Sequence, residues 1–157
     1  MSEKTSFKKD YAKGSIGVRI FLRRIVKNQK YDTPPMCDKE KYDILHCGTR
    51  YEIKATYKDD GMICVEEWYD FTKAKKGWIV TSESDYIVFV STETENMVIY
   101  PTQLLRGWYK KNYQWIKKDY ALIKNKASLG IYGDIWTGAY RKIPMDIIGI
   151  QPIVMIS

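Results

Sequence analysis

The sequence predicts an α/β or α+β fold, a single domain in which a mixed central sheet is flanked by helices. Three observations carry that expectation. The chain has 157 residues, a length that supports one hydrophobic core and leaves no room for two. Its hydrophobic periodicity runs helix, several strands, helix. Hydrophobic residues make up 45% and aromatics 14%, which excludes a disordered chain.

Residues 1–13 are polar and Lys-rich and read as a flexible basic arm, with the domain spanning 14–157. From Ser15 the pattern is helical. Val18, Leu22 and Ile25 form an apolar stripe widened by Phe21 and Val26, while Arg19, Arg23 and Lys27 at i, i+4, i+8 form a basic face. Asn28 and Thr33-Pro34-Pro35 stop that helix. Tyr42 to His46 and Arg50 to Tyr57 read as the two strands of a hairpin turning at Cys47-Gly48-Thr49. In the second strand Tyr51, Ile53 and Ala55 alternate with Glu52, Lys54 and Thr56, so one face is apolar and the other carries an acid and a lysine. Asp59-Asp60-Gly61 is a turn. Met62 to Val65 is a third strand ending in Glu66-Glu67. Ala74 to Gly77 is a loop, Trp78-Ile79-Val80 a short apolar stretch, Tyr86 to Val90 a buried strand and Met97 to Tyr100 a last core strand. A helix then runs from Pro101-Thr102 to about Tyr120, its buried stripe marked by Leu105, Trp108, Asn112 and Trp115. A glycine-bearing segment (Gly130, Gly133, Gly138) precedes an edge strand within Ile147 to Ile156.

Composition removes several classes of function. The longest apolar run, Tyr86 to Val90, is far too short to span a bilayer, and no apolar segment follows the N-terminal lysines as in a secretory signal. Cys37, Cys47 and Cys64 are odd in number and show no C-x-x-C spacing, and His46 is the one histidine, so no zinc-finger ligand set can be assembled. Free thiols without a signal point to a reducing, cytoplasmic setting. Thr81, Ser82 and Ser84 lack the partners of a serine hydrolase. His46, beside a turn, reads as a hydrogen-bonded structural residue rather than a general base.

The net charge of +7 is unevenly spread. Residues 1–30 carry 9 Lys/Arg against 2 acids, residues 31–100 carry 8 against 14, and residues 101–142 carry 9 against 2. Basic ends are the footprint of a polyanion partner such as nucleic acid. An acidic middle asks for another account, such as a metal site. Within it, Asp43 opens one hairpin strand and Glu52-Ile53-Lys54 follows on the next. Glu52 and Lys54 share a face, and the hairpin brings Asp43 towards the same end. Two carboxylates and a main-chain carbonyl suit Mg²⁺, which takes oxygen ligands and accepts phosphate oxygens. The alternative for this spacing alone is a solvated strand face.

Further residues extend the pattern. Asp43, the Glu52-Ile53-Lys54 core, the strand Met62 to Glu66, and the block Gly77-Trp-Ile-Val-Thr-Ser82 followed by Ser84-Asp85-Tyr86 to Val90 together resemble the PD-(D/E)XK nuclease superfamily. The opening Lys13-Gly14-Ser15 before a basic helix is similar to archaeal-type Holliday junction resolvases, and Gly133-Asp134 with Ile143 to Asp146 is similar to phage-type endonucleases. The resemblance implies a restriction-endonuclease-like fold and a Mg²⁺- or Mn²⁺-dependent DNA endonuclease. Asp43 and Glu52 would hold the metal with the Ile53 carbonyl, Lys54 would position the water, and Glu66 would join a second metal or the surroundings of the first. Two departures stand out: Val18 lies near the place where many resolvases carry a glutamate, and Tyr42 stands where the motif has proline.

The expected DNA contacts are Lys13, Arg19, Arg23 and Lys27 at the first helix and Lys110, Lys111, Lys117 and Lys118 on the second. The second set reads equally as a solvated face. The Arg19 face would also suit a membrane surface as a basic amphipathic helix, but it is not terminal and its apolar side is needed to cover a sheet, so phosphate contact ranks above membrane contact. A homodimer cutting two strands is the expected assembly. The other reading is a non-catalytic DNA-binding or inhibitor protein on a nuclease-like fold.

Overall fold

Segments rich in β-branched and aromatic residues pair into two main sheets, with a further two-stranded ladder at Ser128–Leu129 and Ile135–Trp136. A computed structural model describes residues 14–35, 41–125, 128–129 and 135–157. The arm at 1–13 with Lys13, the residues Cys37, Asp38 and Glu40, and the Gly130 and Gly133-Asp134 positions lie outside the described residues.

Residues 14–21 form helix α1, which loosens into a π turn over Leu22–Val26. Lys27 follows it at φ 56°. Arg19, Arg23 and Lys27 therefore do not share one helical face as the i, i+4, i+8 spacing predicts, because the wider turn breaks the period and Lys27 lies beyond the end. The expected hairpin is present: β1 (Ile44–His46) pairs with β2 (Thr49–Thr56), Ile44 opposite Tyr51 and His46 opposite Thr49. Its two turn residues, Cys47 and Gly48, both have positive φ (49° and 75°), the backbone that matches the twist of a tight hairpin.

The remaining elements are β3 (Met62–Asp70), β4 (Lys75–Lys76), helix α2 (Trp78–Thr81), β5 (Tyr86–Ser91), β6 (Met97–Pro101), helix α3 (Thr102–Asp119), β7 (Ile123–Lys124), β8 (Ser128–Leu129), β9 (Ile135–Trp136), β10 (Ala139–Pro144) and β11 (Ile153–Met155). β3 runs past the expected end at Glu67, and Trp78-Ile79-Val80 is helical. β10 was not foreseen, and it gives the fold a second sheet. One sheet has the order β1-β2-β5-β6-β11, with β2 and β5 parallel and its other pairs antiparallel. The other, β4-β3-β10-β7, is antiparallel throughout. The fold is thus mixed α/β with a mixed sheet, as expected, and β11 is the expected edge strand.

The five-stranded sheet separates two cores. On one face α1 packs Ile20, Phe21 and Val26 against Ile44, Ile53, Val88 and Ile99. The other face sets Ile87, Phe89 and Tyr100 against Ile63 and Val65 of β3, Ile143 of β10, Trp78 of α2 and Leu105 of α3. Each such side chain contributes about 1.5–3 kcal/mol on burial. Helix α3 buries Thr102, Leu105, Tyr109 and Ile116, whereas Trp115, expected inside, is 41% exposed and packs edge-on against Tyr120.

A buried polar cluster ties α3 to the second sheet. The Glu67 carboxylate accepts hydrogen bonds from the Tyr109 hydroxyl and from Arg141 Nε, the latter at 2.7 Å, and Arg141 also donates to the Tyr120 carbonyl. Burial and the adjacent Glu67 push the Tyr109 phenol far above its ordinary range. Removing one member of a buried ion pair strands the other's charge. Arg141→Met is expected to lower stability by about 3 kcal/mol in urea unfolding with an unchanged slope; a loss under about 1 kcal/mol would mean water reaches Glu67. The Tyr100 hydroxyl is buried without a hydrogen-bond partner among the described residues. Tyr100→Phe is therefore expected to stabilise the protein by roughly 1 kcal/mol, read as a rise in thermal midpoint, and a fall would contradict an orphaned hydroxyl.

Candidate active site

The site grows out of the two-residue period of β2. Ile53 points into the α1 core, so Glu52 and Lys54 point the other way, towards β3 and α2. Glu52 is only 6% exposed. A carboxylate that deep needs a partner, and Lys54 supplies one: its Nζ lies 2.5 Å from Glu52 Oε1. The Lys54 ammonium also lies 5.9 Å from the centre of the Trp78 ring.

Asp43 sits just before β1. Its main-chain N–H donates to the Tyr51 carbonyl at 2.8 Å, and its Oδ2 accepts the Ile53 N–H at 2.7 Å. The side chain thus takes the place of the next strand carbonyl where β1 ends. Both main-chain groups of a strand residue project to the same side, so the Ile53 carbonyl faces this same edge beyond the end of β1. Burial, then repulsion from Glu52, push Asp43 up to about 6, against the attraction of Lys54 and the Ile53 hydrogen bond.

Glu66 enters from β3. Its half-buried carboxyl is raised by desolvation, while Lys54 and the Trp78 N–H act to lower it. Gly77 makes the approach possible: a Cβ there would lie 2.3 Å from the Glu66 carbonyl oxygen, so any other residue would push α2 and Trp78 off β3. Burial works to lower Lys54, but Glu52, Asp43 and Glu66 together outweigh it and hold the ammonium above its ordinary value.

The structure therefore brings Asp43, Glu52, Ile53, Lys54 and Glu66 to one seam between the sheets. Among the described residues no three His, Cys, Asp or Glu side chains gather as a metal cage. The donor set that fits a hard cation is the mutually repelling Asp43–Glu52 pair with the Ile53 carbonyl on the same edge. Glu66 faces this pair across Lys54.

Beside the seam lies a cleft of about 700 Å³ lined mainly by β2, β3 and β10, and by Gly14 and Asn125; Lys54, Glu66 and Trp78 line it, whereas Asp43 and Glu52 do not. The described basic residues expected to flank the site do not line it, although Gly14 at the start of α1 does. Helix α1 covers the opposite face of the sheet, Arg23 pairs with Glu95, and exposed Lys111, Lys117 and Lys118 lie elsewhere on α3. Lys110 lines a separate pocket with Tyr109 and Tyr113. Cations absent from the sequence expectation do line the cleft: Lys58 and Lys142. For Lys142 the signal is the phase of β10, legible only once β10 is recognised as a strand; Lys58 follows the end of β2.

Ser82 and Asp85, two further residues of the resembling block, separate in role. Ser82 is buried, its hydroxyl 3.4 Å from Glu52 Oε2, 3.2 Å from the Lys41 carbonyl and 2.9 Å from Ser84 Oγ. Asp85 instead holds Arg50, accepting its main-chain N–H at 2.8 Å, and Arg50 holds the carboxyl below its usual range. His46 is structural, its Nδ1 3.0 Å from the Lys30 carbonyl. No protein-family model matches this chain, and neither a characterised protein nor a solved structure matches it. Among the described residues no helix is long and apolar enough to cross a membrane.

Asp43 offers a direct check on this electrostatics. Its folded-state value of about 6 lies above the ordinary 3.8. Between those values the folded protein holds a proton that the unfolded chain releases, so this group's contribution to stability falls as pH rises from 4 to 6 and stays low above. In chelator, Asp43→Asn keeps an acceptor for the Ile53 N–H and is expected to be about 2 kcal/mol more stable than wild type at pH 7.5. The difference should shrink towards zero near pH 4. Equal unfolding midpoints at pH 7.5 would show that Asp43 is not burdened by Glu52 and burial.

Proposed function

We propose that this protein is a metal-dependent DNA endonuclease of the PD-(D/E)XK type. The observation that supports it is the convergence of Asp43 and Glu52 on Lys54, which itself lines an open cleft. The geometry matches what the motif's chemistry requires, since two carboxylates and a carbonyl share one strand edge and a lysine stands against them.

Asp43, Glu52 and the Ile53 carbonyl would hold Mg²⁺ or Mn²⁺. When bound, the ion supplies an acidified water and neutralises charge on the phosphate. Lys54, held above its ordinary value by three carboxylates, is an ammonium at neutral pH. Its role is therefore to donate hydrogen bonds to water or to a phosphate oxygen and to stabilise the charge that develops there, rather than to abstract a proton. Glu66 balances Lys54 from the other side and sets its position. Trp78 closes the end of the cleft and limits water around the reacting groups.

The test is cleavage of supercoiled plasmid at low salt with Mg²⁺, Mn²⁺ or EDTA. Wild type is expected to nick with either ion and not in EDTA. Lys54→Ala and Glu52→Gln, checked by circular dichroism, are expected to lose roughly 10²–10⁴-fold in rate. A well-folded wild type that cuts with neither ion would sink the proposal.

A further inference from the structure

We infer that the open end of the cleft is a track for an unpaired nucleic-acid strand, with Tyr140 and Lys142 of β10 as its wall. This rests on the nuclease reading and names the form of its substrate. The register of β3 and β10 builds that wall. Tyr140 stands opposite Glu66 and Lys142 opposite Cys64. Strand side chains alternate, so these four share one face of the second sheet, while Ile63, Val65, Arg141 and Ile143 occupy the core face. The wall thus continues directly from Glu66, at the reacting end. Across from it, Tyr57 and Lys58 leave the end of β2, and Tyr57 is 62% exposed.

The lining combines the cations Lys54, Lys58 and Lys142 with the rings of Tyr57 and Tyr140. Lysines meet phosphates, and rings offer stacking platforms that accept any unpaired base. A duplex has no free base face to offer. The cleft is also small: about 700 Å³ falls in the range of pockets that hold one small ligand. Glu52 is 6% exposed and pairs with Lys54, which lines the cleft, so a scissile phosphate has to descend past the cleft wall to reach this pair. The described helical cations that would grip a duplex from outside do not border this opening. Asp60 restrains Lys142 through a 3.5 Å ion pair, and its other oxygen accepts the Met62 N–H. A phosphate would compete with Asp60 for Lys142.

Fluorescence anisotropy with a labelled 12-mer single strand and the blunt duplex of the same sequence tests this, at low salt with Ca²⁺ as the hard cation. Wild type is expected to bind the single strand at least fivefold more tightly. Tyr140→Ala and Lys142→Ala should each weaken it three- to tenfold, Tyr140→Phe should bind like wild type, and Asp60→Asn, which keeps the turn acceptor, should bind more tightly. Arg19→Ala should change nothing. Equal or tighter binding of the duplex overturns the inference, as does wild-type affinity in both alanine variants. Hydrolysis with Mg²⁺ is read separately on the same two oligonucleotides. Single-strand preference without hydrolysis supports the track and removes the nuclease reading; hydrolysis without that preference does the reverse.

Discussion

The ammonium of Lys54 is the charge around which the seam between the two sheets is arranged. Three carboxylates reach it from three segments: Glu52 from its own strand, Asp43 from the start of β1, and Glu66 from β3. Buried carboxylates without a cation would be strongly unfavourable, so the cation fixes where these segments meet. The supporting details follow from that meeting. Gly77 removes the side chain that would collide with Glu66, and the Ile53 N–H holds Asp43. Ser82 closes the last oxygen of Glu52 from behind.

One lysine does not balance three acids, and Asp43 carries the strain as a raised pKa. A site whose charges repel one another in the metal-free protein is held by the surrounding structure. Here the holding falls to β2, whose other face lies in the α1 core through Ile53. Gly17 brings α1 close to that strand, since a Cβ there would lie 2.7 Å from Ala55 Cβ. The absence of an acid at Val18 therefore leaves the charged face to the hairpin and β3, with α1 acting as a hydrophobic support.

The uneven spread of charge takes a different form in three dimensions. The acidic middle does contain the seam carboxylates, but several of its other acids are paired locally: Asp85 with Arg50, Glu83 with Lys41, Asp70 with Lys73 and Glu95 with Arg23. Three of these pairs are exposed on both sides and stabilise little, whereas Asp70 is buried; together they account for much of the acidity without a metal. The described cations of the two basic helices lie away from the cleft, and Lys58 and Lys142, unremarkable in the sequence, line it.

Local pattern determined a good deal. The alternation Tyr51 to Thr56, the turn at Cys47-Gly48 and the helix at Thr102 all follow from short-range rules, because a two-residue or 3.6-residue period and a left-handed turn are properties of neighbouring residues. Those same rules placed Glu52 and Lys54 on one face. Tertiary structure alone decided the rest. β10 was illegible because its inward position Arg141 is charged, and it reads as core only when Glu67 and Tyr109 meet it from residues distant in the chain. The π turn that takes Lys27 out of register, the exposure of Trp115, and the joining of Glu66 and Tyr140 to the seam likewise depend on what packs against each element. Periodicity along a chain specifies which way a side chain faces, but burial and charge compensation arise between segments, and those determine what it faces.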